Sequence, residues 1–420
     1  MPLLGGQPQP CFLDAPHDAI STLNNNNKKI LWFILRLIIC ISKLSLFSAL
    51  MKKNNKGTAL VAPLDWGLGH TTRCIPVIKL LQQNGYKVIV AGEKRQVQLL
   101  QQEFPDLFAL DLPGYRIRYT QYKRLLPLKI LWQLPKILRA INQEHKWLKK
   151  TIVAHNIQLV VSDNRFGLWS SGCTCVFMTH QLAIQMPFNW LGRITQRLNY
   201  QFINRYAACW VPDMASAGVN LAGALSHPSL LPRIPVRYIG PLSRIQPVNA
   251  NNNEPYKYKW LFVLSGPEPQ RSLLEQKLLA AAAILQEPAL LLRALPGDTA
   301  LPNAPSNCTV ENHLPGNAMA QAFADSEFVV SRSGYTTVME LLTLKKKSVL
   351  IPTPGQTEQE YLAGHLLRQQ WCYSCDQDDD ITLHLKKVNR FAYIEPEDFK
   401  SNLQEALDQL NMPELNTHGQ

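Results

Sequence analysis

Two stretches of the chain alternate short apolar runs with helix-like segments, and a polar break separates them. In the first stretch, Thr58–Pro63 reads as a buried strand by its length and flanks. Thr71–Asn84 follows as a helix with Ile75, Ile78 and Leu81 on one face, and Tyr86–Ala91 is the next strand. Gln96–Phe104 is a second helix and Leu107–Leu112 a strand, with later strands at Ile157–Ser162, Cys175–Met178, Cys209–Pro212 and Val236–Ile239. The break is Gln246–Lys259, with Asn249 and Asn251–Asn253 in it. The pattern then restarts. Trp260–Leu264 is a strand and Ser272–Leu285 a helix, followed by strands at Ala289–Ala294, Thr309–Glu311 and Phe328–Ser331. Thr336–Leu344 is a helix, Ser348–Ile351 a strand and Glu358–Gln370 a helix. Such alternation predicts α/β architecture: two Rossmann-like, doubly wound parallel sheets with right-handed crossovers, facing a cleft. The expected domains are 56–245 and 260–395, joined by a linker at 246–259, with a helix and tail over 396–420.

Composition sets looser bounds. The formal net charge of +12 over 420 residues points to an anionic partner without choosing one. Nine scattered cysteines read as reduced thiols of a cytoplasmic protein. Cys372/Cys375 and Cys173/Cys175 have no second half at zinc spacing, so no metal site is expected. Residues 1–55 are an N-terminal extension. Its apolar run Ile30–Leu50 has the length of a membrane span but carries Arg36 and Lys43. It reads either as a membrane-associated segment or as upstream sequence before a native start at Met51.

Three loops carry the chemistry. The first is Asp65–Arg73, in which Gly67 and Gly69 let the backbone turn tightly toward a ligand and His70 stands at the helix start. It is not a dinucleotide fingerprint, since the third glycine position is Thr72. The second is Ser331–Glu340: Ser333, Gly334, Thr336 and Thr337 offer hydroxyls and N–H groups to a diphosphate, and Glu340 accepts from ribose hydroxyls. The third is Pro352–Glu360, where the amides of Gln356 and Gln359 suit sugar hydroxyls and Glu358 fits an ordinary helix cap. Ser265 and Gly266 follow the first strand of the second half, where N–H groups meet phosphate. Asp163 and His180 follow strands of the first half and point into the same cleft as base or orienter.

The order GxGH, HQ, RSGxxTxxE and PxxxQxxQ resembles the GT-B glycosyltransferases, and among them the MurG-like UDP-sugar transferases and bacterial relatives with a GxGH loop. The resemblance covers about residues 57–410. It implies a hexosyltransferase that uses a UDP-sugar co-substrate and no cofactor or metal, inverting at the anomeric carbon. It implies a donor diphosphate at Ser333, Gly334 and Thr337, ribose on Glu340, sugar on Gln356 and Gln359, and the base near His313 and Leu314. The acceptor, a glycan or lipid, would meet the first half around Gly67, Gly69 and Arg73, with His70 as base or phosphate-side contact. A UDP-sugar epimerase of the same fold and a non-catalytic nucleotide-sugar-binding protein are the alternatives.

Residues 115–150 are basic and aromatic, with leucines and isoleucines between the cations. This suits an anionic membrane surface on the inner face of the membrane; a helix pair with solvated Lys and Arg is the other reading. No recognition motif for nucleic acid accompanies the charge.

Overall fold

The computed structural model describes residues 56–115, 126–184, 189–216, 218–245, 255–295 and 298–411. These belong to one compact unit, Lys56–Gln420. The extension 1–55, positions 116–125 of the basic segment and positions 246–254 of the expected linker lie outside the described residues.

The first sheet contains β1 (Gly57–Pro63), β2 (Tyr86–Gly92), β3 (Phe108–Asp111), β4 (Ile157–Asp163), β5 (Thr174–Met178), β6 (Ala208–Val211) and β7 (Val236–Tyr238). Its order is β3-β2-β1-β4-β5-β6-β7, and all pairs are parallel. The second sheet contains β8 (Tyr258–Val263), β9 (Ala289–Leu292), β10 (Cys308–Glu311), β11 (Ser326–Ser331), β12 (Lys347–Leu350) and β13 (Tyr373–Ser374). It repeats the scheme as β10-β9-β8-β11-β12-β13, again parallel. In each sheet the chain reverses its direction of winding beside the first strand, between β1 and β4 and between β8 and β11. That switch point opens a crevice at the strands' carboxyl ends. The loops after β1, β4, β8 and β11 therefore stand where a ligand binds.

The helices are α1 (Leu68–Gln83), α2 (Lys94–Glu103), α3 (Leu126–His155), α4 (Asn189–Ile203), α5 (Gln270–Leu285), α6 (Gly316–Ala324), α7 (Tyr335–Thr343), α8 (Thr357–Arg368), α9 (Ile381–Val388) and α10 (Leu403–Asn411). The expected "helix pair" at 115–150 is, where described, the single helix α3, which runs on to His155 through an internal Pro135. Strands such as β1 are uniformly apolar because helices cover both faces: Leu60 and Val61 are both wholly buried. Each such side chain contributes roughly 1.5–3 kcal/mol.

One apolar cluster spans both halves. It joins Ile75, Ile78 and Leu81 of α1 to Val338, Leu341 and Leu342 of α7. The chain's last described helix returns to the first half: Leu403, Ala406 and Leu407 of α10 enter the same cluster. The Asn402 N–H donates to Ile239 O at 3.0 Å, and Asn84 Nδ2 donates to Gln404 Oε1 at 2.8 Å.

Candidate active site at the switch points

The sheet register brings the first group of residues together. Pro63 at the end of β1 pairs with Asp163 at the end of β4, and Asp163 pairs with Met178 at the end of β5. Thr179, His180 and Gln181 follow directly. Gly67 turns the chain at φ +93° and caps α1, which begins at Leu68. Gly69 and His70 thus lie within the first helical turn rather than in the preceding loop. His70 and Arg73 are one turn apart and face Asp163 together.

Arg73, Asp163 and His180 are buried. Arg73 Nε donates to Asp163 Oδ2 at 2.9 Å, and its Nη2 donates to Oδ1. Arg73 Nη1 lies 3.1 Å from His180 Nδ1. His70 Nδ1 sits 2.9 Å from Asp163 Oδ2 and 2.8 Å from Arg73 Nη2. Nδ1 thus meets one acceptor, Asp163, and one donor, Arg73: with its proton on Nδ1 the ring donates to Asp163 and keeps the Nε2 lone pair free, and with its proton on Nε2 it accepts from Arg73. Burial pushes the Asp163 carboxyl up, but Arg73 and His70 overcome it and bring it down to about 2. Burial, and then the Arg73 charge, lower the His70 pKa against the pull of Asp163. A neutral histidine held by a permanently ionised carboxylate can take a proton. Asp163 is therefore fitted as orienter and not as base.

The second group belongs to the other half. Gly334 caps α7, whose first N–H groups have no intrahelical partner and point to the crevice. The Ser333 hydroxyl donates to Gln359 O at 2.8 Å, tying two of the loops together. Gln359 Nε2 donates to Gln356 Oε1 at 2.6 Å, and its Oε1 accepts from the Thr353 N–H at 2.9 Å. The glutamine pair is thus pre-oriented by its own loop. Ser265 and Gly266 follow β8, with Gly266 at φ +100°. Glu340 is buried and receives Arg244 Nε at 3.0 Å. Burial raises the Glu340 pKa against that cation. His313 and Leu314 follow β10. Burial and the same Arg244 lower the His313 pKa.

The two groups touch. Thr336 Oγ1 donates to Gly69 O at 3.0 Å. A Cβ at Gly69 would come within 3.0 Å of that hydroxyl; Gly69 permits a close approach of α1 and α7. His180 stacks on Tyr335 with ring centroids 4.0 Å apart, and Tyr335 OH donates to Pro212 O at 2.7 Å. Glu358, expected as a plain cap, reaches across: Oε1 lies 2.8 Å from His180 Nε2, and Oε2 accepts from Gln181 Nε2. The sequence reading missed Arg244, Tyr335 and this role of Glu358. An acid in a helix's first turn already has a local explanation, so nothing in its neighbours announces a partner 178 residues away.

Among the described residues, no His, Cys, Asp or Glu cluster is arranged to hold a metal ion, and no helix is long and apolar enough to cross a membrane.

Residues 316–406 match the glycosyltransferase family 28 C-terminal domain, which runs from α6 to the first turn of α10 and includes the second and third loops. No curated protein matches the chain in sequence. Solved structures match it in fold. Spinosyn rhamnosyltransferase SpnG, in complex with thymidine diphosphate, is 15% identical with a TM-score of 0.56, over 84% of this chain and 95% of that one. Spinosyn forosaminyltransferase SpnP is 17% identical with a TM-score of 0.51, over 79% and 90%. UGT2 of Phytolacca americana, in complex with UDP-2-fluoroglucose and pterostilbene, is 11% identical with a TM-score of 0.53, over 79% and 90%. These similarities show the two-domain GT-B fold.

Proposed function

We propose that this chain, a glycosyltransferase of GT-B architecture, transfers a hexose from a nucleoside diphosphate sugar to an acceptor hydroxyl, with inversion at the anomeric carbon. One observation carries the reading: His70, bonded to Asp163, stands beside Gly69, whose carbonyl accepts from Thr336 of the family 28 C-terminal domain.

The chemistry follows from the geometry. An acceptor hydroxyl placed against His70 Nε2 loses its proton to the imidazole as its oxygen attacks the anomeric carbon. The bond from that carbon to the diphosphate oxygen breaks, and the electron pair leaves with the nucleoside diphosphate. The developing imidazolium is stabilised by Asp163. The leaving diphosphate meets the free N–H groups at the start of α7 and the loop Ser265–Gly266. Gln356 and Gln359 take the sugar hydroxyls, and Glu340 takes the ribose once Arg244 yields one carboxylate oxygen. This scheme asks for no metal. The base lies near His313 and Leu314. Neighbours of this fold hold thymidine diphosphate in one case and a UDP-sugar in another, and we favour uridine on the sequence resemblance. The acceptor, a glycan or a lipid-linked one, enters from the first half.

Calorimetric titration of UDP, dTDP and GDP without metal, repeated on Glu340→Ala, tests the donor site. Saturable UDP binding that the substitution weakens by ~1–3 kcal/mol supports it. Well-folded protein that binds no nucleotide would sink it. UDP-sugar binding with no transfer to any acceptor would instead mark a non-catalytic binder.

A further inference from the structure

Where the chain leaves the first half it lies against α7 before it reaches β8. Gly240, at φ +75°, turns it at a point where a Cβ would meet Lys400 O at 2.3 Å. The Leu242 N–H donates to Met339 Sδ at 3.2 Å, and Leu242 and Ile245 are buried in one cluster with Val338 and Met339. The Ser243 hydroxyl donates to Ile245 O at 2.8 Å, so the backbone on both sides of Arg244 is fixed. The Arg244 side chain reaches the next residue of α7: its Nε donates to Glu340 Oε1 at 3.0 Å. The Glu340 side chain is 8% exposed and that of Arg244 17%.

Fastening the segment does not require this ion pair. A buried pair adds little net stability over apolar side chains of similar size, and Leu242 and Ile245 already anchor the chain. What the pair does change is the state of Glu340. Burial favours the neutral carboxyl, and Arg244 acts against it through its charge and its hydrogen bond. A carboxylate offers acceptors only, whereas a protonated carboxyl turns one oxygen into a donor. Hydroxyls that donate to Glu340 are therefore held best while Arg244 keeps it ionised. His313, after β10, also feels the Arg244 charge, which together with burial keeps its pKa low.

We propose that Arg244 is a positioning residue of the donor site: from the segment that joins the two halves, it holds Glu340 charged and aimed for the ribose hydroxyls of the sugar nucleotide. The proposal rests on the donor reading above and adds to it a residue outside the second sheet and its loops. It also makes the path of the chain between the halves part of ribose recognition, since the cation that prepares Glu340 travels with that segment.

Calorimetric titration of UDP into the full-length protein, from about pH 5 to about pH 9, tests it. Four proteins are compared: wild type, Glu340→Gln, Arg244→Gln and Arg244→Gln/Glu340→Gln. The affinity ratio of wild type to Glu340→Gln isolates the Glu340 carboxyl with Arg244 present. The ratio of Arg244→Gln to the double variant isolates it with Arg244 absent. His313 and the phosphates of UDP titrate alike within each ratio and cancel. UDP takes the ionised carboxyl, so each ratio falls as pH drops through the Glu340 pKa of the free protein. Without Arg244 nothing opposes burial, and the fall begins at higher pH, with about tenfold lost per pH unit of displacement. Arg244→Lys keeps the charge and restores the wild-type profile. Ratios that superpose overturn the proposal, and so does a ratio that stays flat without Arg244. A loss in Arg244→Gln that is equal at every pH overturns it too, leaving Arg244 a structural tie. Wild-type protein that binds no UDP removes the donor reading and this proposal with it, a failure told apart because it precedes any substitution.

Discussion

His70 owes its chemistry to two neighbours with opposite effects. Burial and Arg73 hold its pKa down, while Asp163 fixes its ring and stabilises the positive charge when it forms. His70→Ala should lower kcat by about 10²–10⁴ while leaving UDP affinity and melting temperature near wild type; unchanged turnover would remove it as base. The acid limb of kcat/KM should lie below 6.5, since the folded-state pKa is depressed. The same depression acts on stability. The unfolded chain binds this proton more readily, so stability falls as pH drops through 6.5. Asp163 adds its own loss further down, as pH falls from near 4 toward its value of about 2. Arg332 poses a different problem. It is wholly buried, and its Nε has no partner. Its other bonds go to neutral oxygens: Ile351 O and Pro352 O, both at 3.2 Å, Gln270 O at 2.7 Å and Gln377 Oε1. Burial alone pushes its pKa down to about 10. Arg332 follows β11, Ile351 and Pro352 follow β12 and Gln270 ends the loop after β8, so the uncompensated cation raises the potential where a diphosphate would rest. A charge within roughly 8 Å at an effective dielectric of ~20 contributes ~2 kcal/mol. Arg332→Gln should therefore weaken UDP and leave uridine unchanged. An equal loss for both would assign Arg332 a purely structural role.

At the scale of elements, the approach of α1 to α7 hangs on one missing methyl group. Gly69→Ala places a Cβ against Thr336 Oγ1 and should cost about 1–3 kcal/mol by overpacking. Thr336→Ala removes the obstacle, so the double variant should recover part of that loss in thermal melts. Strictly additive losses would mean that the contact is not tight in solution. The same pair shows what could be read in advance. Strands were legible because helices cover both faces of each sheet, which leaves continuous apolar runs such as Thr58–Pro63. The strand-end loops were legible because glycines and hydroxyls punctuate them. The start of α1 was misplaced: one glycine, Gly67, suffices for the turn, while Gly69 serves the approach of another helix. α4, α6 and α9 are not among the expected elements, although Asn189–Ile203 carries a clear helical period. Arg244 has no local signal, because its partner Glu340 lies 96 residues on. Pairing across that distance is a property of two sheets facing each other, which local pattern does not encode.

For the whole molecule the decisive fact is that the walls of the crevice bond to each other. Thr336 holds Gly69, Glu358 holds His180 and Gln181, the Ala224 N–H donates to Tyr361 OH at 2.8 Å, and His365 Nε2 lies 3.2 Å from Asn220 O. A sugar nucleotide seated on the α7 turn must enter between these walls, so part of this set gives way during turnover. Glu358 is the natural first to yield. Its side chain is 33% exposed, and it sits between Gln356 and Gln359, the residues proposed for the sugar. Glu358→Ala removes both cross-crevice bonds and shifts the balance toward separated halves by ~1–3 kcal/mol, a population change of about 5- to 150-fold. The radius of gyration from small-angle scattering should rise. UDP should bind more tightly, because opening no longer opposes binding. Turnover should fall, because His180 and the acceptor side are no longer held to the donor loops. Tighter binding with slower catalysis is a split that a merely destabilised protein does not show. Identical scattering, affinity and turnover in the variant would mean that Glu358 only caps α8, as its place in the sequence suggests.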